Sequence, residues 1–114
     1  MSYKRGDVVL VLFPNSDRRT VKKRPALVLQ NETVPTHFGQ TIVAPITSNL
    51  HRSSPVMLPV KLGSPEAVAM GLRTDSVINL ESPAALEARE IDKKIGSCRS
   101  VLNFDPQLRE LLGL

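Results

Sequence analysis

The chain has 114 residues, a net charge of +4, 41% apolar residues, one cysteine and no tryptophan. That size predicts one domain, residues 1–114, burying about two-thirds of the surface its unfolded chain exposes. Cys98 stands alone, which excludes an internal disulfide and a multi-cysteine metal site and favours a reducing, cytoplasmic setting. No apolar run approaches the ~20 residues of a membrane-spanning helix, so no membrane partner is expected. The opening MSYKRGDVVLVLFPN is too short in its apolar part, and too interrupted by Asp7, for a signal peptide.

Val8 to Phe13 is apolar almost throughout and predicts a strand covered on both faces. PNSDRRTVKK follows with turn chemistry and predicts a flexible loop. Pro25 has no N–H for a ladder, so the second strand is expected to open there and run through Ala26 to Leu29. Thr41 to Ile46 predicts a third strand, ending or bulging at Pro45. VMLPVK predicts a fourth, at an edge because of its proline. GSPEAVAMG holds a helical turn, and Ser76 to Leu80 a fifth strand. SPAALEARE predicts helix behind a Ser82–Pro83 start, in competition with a short strand from Arg89 to Ile91. IGSCRSVLNF is expected as a helical stretch. In FDPQLRELLGL, Asp105 is expected to cap a last helix, with Leu108, Leu111 and Leu112 on one face and Gly113 as the stop. Short strands followed by a helix predict a mainly β fold, a closed or partly closed sheet with a helix packed on it.

The charge is unevenly placed. Between Arg18 and Arg24 five of seven residues are basic, a patch suited to a polyanion or, more plainly, a solvated loop. No Gly-rich phosphate loop and no metal-spaced cluster appears, so no cofactor and no metal is expected. His37 and His51 are isolated and are expected to be solvated loop residues. Three hydroxylic or charged spots remain. Arg24 sits where loop becomes strand, as a phosphate-binding guanidinium or a surface ion-pair partner. Thr47 and Ser48 follow the third strand, as a site or an ordinary turn. Arg73 and Asp75 share a face if their segment is extended, as a working pair or a structural ion pair.

In this order, GDVVLVLFP, KRPALVLQ, VAPITS, GLRTDSVINLE and IDKKIGS resemble the blocks of PemK/MazF-type toxins of bacterial toxin–antitoxin pairs. The resemblance runs from about Gly6 to the C-terminal helix. It implies a small SH3-like β-barrel of about five to seven strands with short helices and a C-terminal α-helix, working as a homodimer. It implies a metal-independent endoribonuclease that cuts single-stranded RNA, leaving a 2′,3′-cyclic phosphate and a 5′-hydroxyl. A cognate antitoxin with an acidic, partly disordered segment is the implied protein partner. By position, Arg24 matches the family's catalytic arginine and Thr47 its catalytic threonine. Arg73 and Asp75 match an Arg-x-Asp pair used in the PemK/Kid branch. The histidine that branch carries in its first loop has no counterpart between Phe13 and Arg24, and ESPAAL replaces a Glu-Gln-aliphatic-Arg block after Leu80.

Chemically, Arg24 suits the extra charge of the phosphorane, Thr47 with Ser48 suits positioning, and Asp75 is a better proton acceptor than any arginine. Arg18, Arg19, Lys22 and Lys23 are expected to hold flanking phosphates, which adds affinity but little sequence choice. Two rivals stay open at this level: a gyrase-poisoning toxin of CcdB type, and a non-catalytic SH3-like module that grips nucleic acid or a protein tail.

Overall fold

The computed structural model describes residues 3–14, 17, 19–51 and 53–114, with Phe13 and Pro14 described by their backbone. Seven strands form the frame: β1 (Asp7–Pro14), β2 (Val21–Val28), β3 (Thr41–Thr47), β4 (Met57–Val60), β5 (Ser76–Asn79), β6 (Ala84–Leu86) and β7 (Ile91–Ser97). Two helices, α1 (Pro65–Met70) and α2 (Asp105–Leu112), complete it. The hydrogen-bonded order is β4-β5-β3-β2-β1-β7, with β6 added beside β3. Every described pairing is antiparallel. The sheet is therefore barrel-like but not closed by hydrogen bonds.

β3 is the strand on which the frame turns. One of its edges carries β2 through Val43 to Pro45. Its other edge carries β6 at Thr41 to Val43 and then β5 at Ile46 and Thr47. The C=O of Ile42 accepts from the N–H of Leu29 at 2.9 Å, so even-numbered residues of β3 face β2. Pro45, which has no N–H, thus turns its bare nitrogen toward the junction between β6 and β5. The same alternation aims the bare nitrogen of Pro25 at the β3 side of β2. The pairing with β3 stops at Ala26, so no donor is needed there.

Within the apolar run of β1, Val8, Val9 and Val11 are at most 1% exposed and point to both faces, while Leu10 and Leu12 are half-buried. Val8, Leu27, Ala44, Ile46 and Ile78 join Met70 and Phe104 in the main core. Val9, Val11, Ala26, Val28 and Val43 form a second core on the opposite face, covered by Leu86, Ile91 and the half-buried Tyr3. Cys98 lies in the main core, where burial pushes its thiol above the ordinary range.

The wall between β7 and the α1–β5 segment is closed by backbone contact. A Cβ placed on Gly96 would lie 2.4 Å from the carbonyl oxygen of Ala69, and one on Gly71 would lie 2.4 Å from that of Ile95. Gly71 also ends α1 in the left-handed region, at φ 73°. The start of α1 follows its sequence: the Ser64 side chain accepts from the N–H of Ala67 at 3.1 Å, and Pro65 takes the first position.

Four local expectations are corrected. β2 begins at Val21, so Lys22, Lys23 and Arg24 lie on a strand paired with β1 and not in a loop. After Ser82–Pro83 the chain forms β6 and then a 3-10 turn at Ala88–Glu90, because Val43 and its neighbours offer an unpaired edge that outweighs helix propensity. Ile91 to Ser97 is strand, since β1 supplies a partner ladder. Asp105 is the first residue of α2 and does not cap it. Its carboxylate pairs with Arg5, whose guanidinium also donates to the Leu29 carbonyl and lies 4.4 Å from the centre of the Phe104 ring. Of the helix leucines, Leu108 packs on the core, while Leu112 is 63% exposed.

Gly96→Ala forces a methyl group into backbone that cannot yield. It should lower stability by about 3 kcal/mol or more, at the top of the overpacking range. A urea titration checks this through a fall in the midpoint at unchanged slope.

Candidate functional site

The basic segment owes its geometry to strand alternation. Successive side chains of β2 point to opposite faces, so Lys22 and Arg24 share the face of Ala26, whereas Lys23 and Pro25 share the other. Arg24 stands opposite Val11 in the β1 ladder and its side chain is exposed. Its own N–H and C=O face β1, which fixes the backbone from which the guanidinium projects. Arg19 is exposed just before the strand; its N–H and that of Thr20 donate to Asp17 at 2.9 and 3.1 Å and hold that carboxyl below its ordinary range. Arg18 lies outside the described residues.

The last rung between β2 and β3 is Ala26 opposite Pro45. Two residues further along each strand stand Arg24 and Thr47, both on the face of that rung. There β3 has left β2 for β5, and Thr47 pairs with Val77. Arg24 and Thr47 thus lie on one face where the two strands part, and among the described residues β2 has no second partner strand there. Thr47 is half-buried, and its hydroxyl oxygen accepts from the N–H of Asn49 at 3.0 Å. Ser48 is exposed at the bend that follows β3.

Arg73 and Asp75 are not brought together. Among the described residues they form no ion pair with each other, and they line different cavities. Between Arg73 and Asp75 the chain bends at Thr74, whose carbonyl accepts from the Ser76 hydroxyl at 2.9 Å. Asp75 accepts from the N–H of Leu62 at 2.7 Å and opens onto a groove of about 310 Å³ with Leu50, Met57, Pro59 and Val77. Through the Thr47–Val77 and Pro59–Val77 pairs, that groove belongs to the Thr47 face.

Arg73 opens instead into a cleft of about 890 Å³, where Lys23, Lys93 and Lys94 also lie. Lys93 and Lys94 are site candidates that sequence reasoning left without a role. Regular alternation would send neighbouring lysines to opposite faces. β7 carries two register shifts against β1, leaving Ile95 and Asp92 without rungs, and these re-aim its side chains. Asp92 lies 3.0 Å from Lys23, and the buried Asp7 lies 3.2 Å from Lys94. His37 and His51 are exposed, and His37 packs on Phe38. Among the described residues no three His, Cys, Asp or Glu side chains gather at metal-binding range.

Residues 4–103 match the family model described as PemK-like, MazF-like toxin of type II toxin–antitoxin system. The chain belongs to this family. No curated protein is significantly similar to it in sequence. Among solved structures, the Mycobacterium tuberculosis toxin MazF-mt6 is 25% identical, with 94% of this chain and 92% of that chain covered at a TM-score of 0.66. An endoribonuclease in complex with its cognate antitoxin, from a mycobacterial species, shares the fold at 19% identity, with 99% and 97% covered and a TM-score of 0.70. An M. tuberculosis toxin is 28% identical over 79% of this chain and 89% of that chain, with a TM-score of 0.57. Membership makes this chain a PemK/MazF-type toxin with a barrel-like, mainly β fold. Among the described residues no helix is long and apolar enough to cross a membrane.

Proposed function

We propose that this toxin is a metal-independent, sequence-selective endoribonuclease that cuts single-stranded RNA. The observation that carries the reading is the placement of an exposed arginine and a threonine on one sheet face, each two residues past the last rung between their strands. Relatives of this fold that are described as endoribonucleases support it.

RNA supplies its own nucleophile. The 2′-oxygen attacks the adjacent phosphorus, the P–O2′ bond forms, and the P–O5′ bond breaks. The products are a 2′,3′-cyclic phosphate and a 5′-hydroxyl, with no redox change. Arg24 binds the non-bridging oxygens and stabilises the phosphorane with a planar fork of donors. A donor so placed contributes roughly 3–4 kcal/mol. Thr47 holds the 2′-hydroxyl or a non-bridging oxygen, with Ser48 beside it. Asp75, one strand from Thr47, accepts the 2′-proton, and water at the open edge returns a proton to the 5′-oxygen. Arg73 faces the other cleft and serves phosphate binding. Arg19, Lys22 and Lys23, with Arg18 before them, hold flanking phosphates.

As a family toxin the chain acts with a cognate antitoxin, whose acidic, partly disordered segment covers the Arg24 face and so excludes RNA. The working form is a homodimer in the cytoplasm.

End-mapping of a mixed-sequence RNA incubated with the pure protein and a chelator should show new 5′-hydroxyl ends; cleavage abolished by chelator refutes the metal-free mechanism. Arg24→Ala should lower kcat about 10²–10³-fold without unfolding, the loss typical of a removed oxyanion donor. Full activity in that variant rejects the assignment. Asp75→Asn should lower kcat about 10²-fold or more at unchanged RNA affinity if it is the proton acceptor.

A further inference from the structure

We infer that the cleft between β7, β1, β2 and the segment before β5 is a second RNA-backbone subsite, with Lys93 as its leading contact. This rests on the nuclease reading above and extends it to residues on the opposite face of β2 from Arg24.

Four cations from three parts of the chain converge there: Lys23 from β2, Lys93 and Lys94 from β7, and Arg73 from the segment before β5. Among the described residues no carboxylate lines the cleft. The two acids that touch these cations stand outside it and hold Lys23 and Lys94 in place. Among the described residues, Lys93 and Arg73 have no carboxylate partner within ion-pair range, so they are the charges left for a ligand. Leu10, Pro25, Leu72 and Ile95 supply an apolar floor between the cations, against which unstacked bases can lie.

Position favours RNA over an acidic peptide. Among the described residues β2 pairs only with β1 between Val21 and Pro25, and no described strand separates the Arg24 face from the cleft. Lys23 and Arg24 are neighbours in sequence that point to the two sides of this free edge. A single strand cut beside Arg24 and Thr47 can therefore pass over the edge and continue onto Lys23 and, about 12 Å away across β1 and two residues along it, Lys93. Continuity with the cutting site is a requirement for flanking RNA and not for a separately bound peptide.

Binding and cleavage test it separately. The binding probe is an RNA oligonucleotide with 2′-O-methyl riboses, which cannot be cut, titrated by anisotropy from about 50 to about 200 mM salt. Lys93→Gln should weaken binding equally for different sequences and make the log Kd against log salt slope shallower by about 0.7, the contribution of one single-strand phosphate contact. Lys93→Arg should restore the wild-type slope. On cleavable RNA, Lys93→Gln should raise KM and leave kcat at the wild-type value. An unchanged slope overturns the inference, as does a lowered kcat at unchanged KM. Loss of polyglutamate binding in Lys93→Gln, with RNA binding intact, makes the cleft a peptide site and also overturns it. Absence of cleavage by the wild-type protein removes the nuclease reading, and the slope then decides the cleft by itself.

Discussion

The change of partner by β3 at Pro45 is the constraint from which the site follows. Up to Pro45 the strand lies on β2, and from Ile46 it lies on β5. A residue with an N–H at position 45 would aim a donor into the junction between β6 and β5. Proline leaves nothing unsatisfied there. Because β3 departs, β2 has no second partner strand from Val21 to Pro25 among the described residues, and Arg24 and Thr47 lie on one face where the two strands part. A β3 that stayed paired would place a continuous ladder between Arg24 and Thr47.

The free edge is affordable because the frame is closed elsewhere. Gly71 and Gly96 let α1 and β7 meet backbone to backbone, which joins the β5 side of the sheet to the β7 side without a ladder. Each half of the joint needs a missing Cβ. Arg5 makes a second joint by linking Leu29, Phe104 and Asp105, and it holds the start of α2 against the core while the helix end reaches into solvent. Rigid closure and the parting of β2 from β3 are thus complementary features of one wrapped sheet.

Electrostatics divides along the same strand. Alternation on β2 gives Lys22 and Arg24 to one face and Lys23 to the other, so one run of basic sequence serves two surfaces. Asp92 and Asp7 restrain two of the cleft lysines, which lowers the freedom those side chains lose when an anion arrives. The exposed ion pair itself adds little stability.

The strands of Val8 to Phe13, Thr41 to Ile46 and Ser76 to Leu80, the turn at Ser64–Pro65 and the last helix were legible in the sequence. Apolar runs, proline positions and cap residues are local signals, set by each segment's own chemistry. Arg24 and Thr47 were legible as candidates because a proline and the end of an apolar run mark their places locally, although Arg24 proves to lie within β2 and not at its start. The tertiary structure decided what depends on a partner. Ala84 to Leu86 became a strand because β3 had an edge to offer, and Ile91 to Ser97 because β1 did. Arg73 and Asp75 parted because the chain bends at Thr74, between them, and leaves the extended path that would align them. Lys93 and Lys94 reached one cleft through register shifts that only pairing with β1 creates. Sequence carries each segment's preferences, whereas pairing and register between distant segments settle which faces, and so which charges, meet.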